Sequence, residues 1–226
     1  MKLRKLKKAD YLLIVSNLIP VYGVWFLGWD TLEAFIAYTL ETLIIGGITI
    51  LKLLTATIYK GRDTWYNGEH TQEVSGLFFI LFFIAHFGIF AGIQMSIFSN
   101  VAGLVPDDRS IIYFPTHFWY FINGEVALML SSFLVGYLAQ SFVPFVLKGE
   151  YKTTPMIQIM FQPYGRIFVQ QVTVIAGSMF LVFGFGKGFV LIFAAVKILF
   201  EILVNYKSLL AKAMVDMKSQ GKVKID

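Results

Sequence analysis

The chain of 226 residues is 57% hydrophobic and only 15% charged, with a mean hydropathy of +0.70, well short of the roughly 25% charge that gives a soluble domain its water-facing surface. It contains no cysteine, which excludes disulfides, thiolate metal sites, iron–sulfur clusters and a cysteine nucleophile together. The net charge of +5 is spread beside apolar segments rather than gathered in one patch, which argues against a nucleic-acid partner.

The basic start, Lys2 to Lys8, followed by an apolar run, has the look of a secretory signal. Trp25, Phe26, Leu27 and Trp29 stand where small cleavage-site residues belong, so the run reads as an uncleaved first helix over about 11–27. Within it Pro20 frees one carbonyl, and Ser16 and Asn17 lie a turn earlier, positioned to satisfy it. A short turn at Gly28-Trp29-Asp30 leads to a second helix over about 31–58, with Asp30 as its cap and Glu33 reaching back in a capping box. Residues 60–73 read as a polar loop, and a third helix follows over about 74–99.

The connection after it holds Ile111 to Tyr120, dense in aromatic residues but too short to span, and is expected to lie at a membrane interface. A fourth helix covers about 123–147. A mixed loop from Lys148 to Gly165 precedes a fifth helix over about 166–183, which Arg166 opens. The glycine-rich turn Gly184 to Gly188 reverses the chain into a sixth helix over about 189–209. The fold class is therefore all-α: a polytopic transmembrane helix bundle of about six spans, forming one integral membrane domain over 1–226 in contact with the lipid bilayer. All but three of the 19 Lys and Arg, the exceptions being Arg109, Lys187 and Lys197, fall on one side of that topology. The positive-inside rule then puts both termini in the cytoplasm of a prokaryotic cell.

Polar residues deep in such helices need a reason, since a charge at the centre of a span costs at least ~2.5 kcal/mol. Glu41, His86 and Lys197 lie at a shared depth of roughly 15 Å, and Glu201 sits one turn from Lys197 on the same face with Asn205 a turn further. These four ionisable groups, with Asn17 in the first helix, are expected to point inward as an intramembrane polar cluster. Lys197 has two partners in reach, Glu201 along its own helix and Glu41 across the bundle. His86 precedes Gly88 and Gly92, a small-xxx-small face that lets another helix approach, in the bundle or in a homo-oligomer. Lys52 should snorkel to the cytoplasmic boundary. Gln170-Gln171 and Ser131-Ser132 read as interhelical hydrogen-bonding pairs. Arg166 reads as a cytoplasmic-side contact for a carboxylate or a phosphate headgroup.

The segments Asn17 to Val24 with Gly28-Trp29-Asp30, Glu41 to Gly46 with Lys52, Ala85 to Gly88, Pro163 to Arg166, and Lys197 with Glu201 resemble, in that order, a family of bacterial multi-pass membrane proteins named only as domain of unknown function 6498. That resemblance implies Ser-His in the fourth helix, Leu-His in the fifth, and an acidic residue followed four later by His in the sixth. Here those places hold Ser131-Ser132, Gln170-Gln171, and Glu201 with Asn205. Ser, Gln and Asn are poor substitutes for imidazole, so no metal and no cofactor is expected. Three functions remain in view: a proton-coupled or small-solute transporter built on the polar cluster, an accessory scaffold whose polar groups fix helix packing, and a membrane-embedded enzyme acting on a lipid. No G-x-S-x-G, H-E-x-x-H or P-loop supports the enzyme.

Overall fold

The computed structural model describes residues 8–67 and 70–203, and within them the regular structure is helical apart from one β-hairpin. Helix α1 (Lys8–Tyr22) loosens into a π-helical turn over Gly23–Leu27. Gly23 is required there, because a Cβ at that position would meet the Trp29 ring at 1.9 Å. The carbonyl that Pro20 frees, Ser16 O, faces the Ser132 hydroxyl of the later helix α5 (Gly124–Tyr137) at 3.5 Å, whereas Ser16 and Asn17 both donate to Leu13 O instead. The repair comes from the neighbouring helix, which corrects the local one expected.

Helix α2 (Thr31–Lys60) is the centre of the molecule, with 72% of its most apolar stretch buried. Asp30 caps it by accepting from Leu32 N at 2.8 Å. Glu33 does not reach back as expected. It accepts from Asn123 Nδ2, while Asn123 Oδ1 caps the start of α5 by accepting from Val126 N, so the two helix starts are tied together.

The expected polar loop at 60–73 is a hairpin, β1 (Arg62–Asn67) and β2 (His70–Ser75), antiparallel with Asn67 opposite His70. Thr64, Trp65, Tyr66, Thr71 and Val74 favour strands. Trp65 packs its ring on Phe78, Phe79 and Phe82 of α3 (Gly76–Val101). Asp63 joins the hairpin to the rest: Oδ2 accepts from Lys60 Nζ at 3.0 Å and from Met156 N at 2.9 Å.

The aromatic connection folds as a short helix α4 (Tyr113–His117) and a 3₁₀ turn (Phe118–Phe121), anchored by the fully buried Phe114 against Phe98 and Phe121. Helix α5 (Gly124–Tyr137) passes through a π-helical turn, Leu138–Phe142, into α6 (Val143–Leu147). Ser141 in that turn accepts from Lys52 Nζ at 2.6 Å, and the Lys52 ammonium sits 5.5 Å from the Phe145 ring centroid. Lys52 is consequently 5% exposed rather than snorkelling.

After α7 (Glu150–Thr153), α8 (Met156–Phe161) and α9 (Tyr164–Val182) follow with only Gln162-Pro163 between them. Gln162 N bonds Gln158 O and Ile167 N bonds Pro163 O, so helical bonding resumes on each side of a proline kink. The fifth expected helix, about 166–183, is α9, which starts at Tyr164, and the short α8 precedes it within what was expected as a loop. Arg166 lies in the first turn of α9. Helix α10 (Gly186–Leu203) closes the bundle against α9, α1 and α2. Among the described residues, Thr31–Lys60, Gly76–Val101 and Gly124–Leu147 are long and apolar enough to cross a membrane.

Candidate functional site

The charged centre lies where α2, α9 and α10 meet. Tyr38, Glu41 and Thr42 share one face of α2, since residues three and four apart on a helix are neighbours. Both oxygens of Glu41 accept from the Lys197 ammonium of α10, and the two residues are 0% and 4% exposed. Two aromatic faces complete the ammonium's surroundings, with ring centroids at 5.2 Å for Tyr38 and 4.7 Å for Phe133 of α5. A desolvated ammonium beside a carboxylate and two π faces gains attraction from all three.

Helix α9 supplies two amides. Gln170 Nε2 donates to Glu41 Oε2 at 3.2 Å and to the Tyr38 carbonyl. Both partners are acceptors, so the nitrogen must face them and the assignment of the amide is settled. One position on, Gln171 Nε2 lies 3.0 Å from Thr42 Oγ1. Yet Gln170 Oε1 and Gln171 Oε1 are buried without a hydrogen-bond partner, as is Asn17 Oδ1 of α1. Asn17 joins the centre through its backbone: its carbonyl accepts from Tyr38 OH at 3.1 Å. Buried polar atoms are satisfied in the great majority of folded proteins, so orphaned amide oxygens near one ion pair call for a cause.

Asn17, Glu41 and Lys197 are therefore brought together, with Glu41 rather than Glu201 seen as the partner of Lys197. Glu201 falls in the last turn of α10, and its side chain and all of Asn205 lie outside the described residues. His86 is not part of the centre. It sits on the exposed face of α3, with Nδ1 2.7 Å from Tyr164 OH and its ring stacked on Phe82, which corrects the inward expectation. The most buried positions facing the bundle along α3 are Phe79, Phe83, Phe87 and Ala91, whereas His86 is exposed. Arg166, half-buried, places its guanidinium 5.2 Å from the Tyr137 ring centroid.

Sequence reasoning missed Tyr38 and Phe133, because an aromatic residue in an apolar run carries no mark of the cation beside it. Gln170 and Gln171 were legible as polar residues in an apolar helix, though not as neighbours of Glu41. Among the described residues no group of three or more His, Asp or Glu is placed to hold a metal ion. A surface groove of about 810 Å³, lined by Thr31, Phe180, Phe189 and the Gly184 to Gly188 turn, lies at another level and takes none of its lining from the ion pair.

The sequence profile of a family of unknown function, DUF6498, matches residues 1–218. The chain belongs to this family. No curated protein matches the chain, and no solved structure does. Membership carries no activity with it, so function has to be argued from the Glu41–Lys197 centre in this DUF6498 chain.

Proposed function

We propose that the protein is integral to the cytoplasmic membrane of a prokaryote, crossing it six times as one domain with both termini inside, and that its Glu41–Lys197 centre belongs to a path for protons or small solutes. The membrane reading draws support from the outer surface. Leu77, Leu81, Ile84, Ile89, Ile93 and Ile97 of α3 are each at least 41% exposed, and apolar patches of that extent rarely face water. Glu41 stands ten residues into α2, about 15 Å along it, where a charge needs a function or a partner.

The transport reading rests on one observation: amide oxygens of Gln170 and Asn17 left without partners near a buried ion pair. A purely structural cluster gains nothing from leaving acceptors unpaired in a low-dielectric interior. The test is proton flux. Purified protein in liposomes under an imposed pH gradient is expected to collapse that gradient faster than empty liposomes. Glu41→Gln should remove the effect. Equal rates for protein-containing and empty liposomes would end this reading.

A second reading, an accessory scaffold, is favoured by the tight enclosure of the ammonium between Tyr38 and Phe133. It expects Glu41→Leu with Lys197→Met to leave cellular function intact, where transport expects its loss. Self-association through the outward Gly88 and Gly92 face is part of the same proposal. A Cβ at either glycine meets nothing within 4 Å in the protomer, so a second copy has room to approach.

A further inference from the structure

We infer that the groove between the end of α9 and the start of α10 is a binding site for an anionic phospholipid of the outer leaflet, its phosphate held by Lys187 and one acyl chain laid along Phe180, Phe189 and Ile192. The site rests on the membrane reading and the orientation proposed with it, and is independent of the Glu41–Lys197 centre.

The groove encloses about 810 Å³ and is built on an aromatic wall. Phe180 and Phe189 stack with ring centroids 5.0 Å apart and planes 14° from parallel. Phe189 leans in turn on the fully buried Phe35, at 6.1 Å. The wall is therefore set before a ligand arrives, which spares the cost of ordering it on binding. Its lining changes character along its length. Thr31 and the Gly184 to Gly188 turn form one end, while Phe180 and Ile192 lie roughly one helical turn deeper toward the middle of the bundle. With the turn outward, an occupant meets polar groups at the headgroup level and apolar ones below, the order in which a phospholipid presents its own parts. The exposed Trp25, Phe26, Phe183 and Phe185 cluster around that same end, as aromatic residues do at a membrane interface.

Charge selects the headgroup. Lys187 is exposed and has no carboxylate partner among the described residues. Arg109, the other basic residue assigned to the outer side, is differently placed: it pairs with Asp108 at 3.5 Å and its guanidinium lies over Tyr113. The backbone of Lys187 is held, because its carbonyl accepts from Trp25 Nε1 at 3.1 Å. A compact ammonium on a flexible stem, rooted at the polar end of an apolar groove, complements a phosphate ester. Asp30, next to Thr31, does not line the groove, and its Oδ1 is engaged in capping α2. A zwitterionic phospholipid brings its own cation to its phosphate and gains less from Lys187 than an anionic one.

The experiment uses the full chain carrying Trp65→Phe and Trp119→Phe, which leaves Trp25 and Trp29 as the emitting tryptophans of the four. It is placed in phosphatidylcholine nanodiscs that contain a rising minor fraction of phosphatidylglycerol or of phosphatidylcholine, brominated midway along the acyl chains. Brominated phosphatidylglycerol is expected to quench saturably, with half-effect at a fraction about fivefold lower than brominated phosphatidylcholine requires, the scale of one lysine at an anionic surface. Lys187→Gln should erase that preference. Ile192→Gln, an exposed position, puts an amide in the path of the acyl chain and should weaken quenching by phosphatidylglycerol with the lysine untouched. Equal quenching by the two lipids, or a preference that survives Lys187→Gln, would overturn the inference and leave the membrane reading standing. No quenching by either lipid would place both tryptophans outside the bilayer and remove the membrane reading as well. A groove occupied by a second copy of the chain would show as a particle of doubled protein mass in light scattering, weakly quenched by both lipids until Ile192→Gln separates the copies, and that result would also overturn the lipid site.

Discussion

Glu41 and Lys197 are each tolerable in the interior only because the other is there. Removing one partner leaves an uncompensated charge out of water, so Glu41→Ala or Lys197→Ala should each destabilise the protein by about 3–5 kcal/mol. Replacing both by apolar residues of similar volume removes the penalty with the charges, and Glu41→Leu with Lys197→Met should unfold close to the wild-type temperature. Thermal unfolding of the four proteins in one detergent checks this, and additive losses in the double variant would contradict the pairing. The sequence marked both residues, since a charge is conspicuous in an apolar helix and their depths agree. It left Glu201 and Glu41 as rival partners of Lys197, because helical spacing favours the first and only tertiary packing brings up the second. His86 was misplaced for a related reason: depth is legible from position along a helix, but the direction a side chain faces depends on which arc of α3 its neighbours bury. The phenylalanines at 79, 83 and 87 took that arc.

Between elements, close approach is set by glycines in some places and by one carboxylate in another. A Cβ at Gly177 of α9 would meet the rings of Phe189 and Phe35 at 2.4 Å, and the fully buried Phe35 has little room to shift. Gly177→Ala should cost about 1–3 kcal/mol by overpacking. Gly92→Ala, in open space, should leave the protomer's stability within about 0.5 kcal/mol of wild type. Any fall in oligomer size on Gly92→Leu, read by light scattering, would mark that face as the contact between copies. The carboxylate is Asp63. Its Oδ1 accepts from Thr64 N and its Oδ2 from Lys60 and Met156 N, so one side chain holds the hairpin, the end of α2 and the start of α8. Asp63→Ala should cost about 1–3 kcal/mol by orphaning these donors, and hydrogen exchange should quicken over 62–75 and at the start of α8. The three longest apolar helices, Thr31–Lys60, Gly76–Val101 and Gly124–Leu147, were legible from hydropathy. The hairpin and the short α8 were not, because both fall in polar, proline-containing stretches that read as loops.

At the scale of the molecule, contacts between loops sort the chain ends of the helices into two groups, and charge follows the sorting. At one end Trp25 Nε1 donates to Lys187 O at 3.1 Å and Glu33 accepts from Asn123, which gathers the turn after α1, the start of α5 and the turn before α10. At the other, Lys60 Nζ donates to Thr154 O at 2.7 Å and Asp63 accepts from Met156 N, which gathers the hairpin with the α7–α8 connection. Lys60, Arg62, Lys148 and Lys152 lie at the second end, and Lys187 at the first. Positive loops stay in the cytoplasm during insertion, so the hairpin end should face inward and the Gly184 to Gly188 turn outward. Single cysteines are readily read in a chain that has none. Thr64→Cys and Thr153→Cys should resist a membrane-impermeant maleimide in intact cells and react once the cells are opened. Ser110→Cys and Lys187→Cys should react in both. Labelling of Thr153→Cys in intact cells would invert the orientation. Labelling of Thr64→Cys and Lys187→Cys alike in intact cells would remove the membrane from between the two ends, and with it the reason for treating the buried ion pair as a site rather than a core contact.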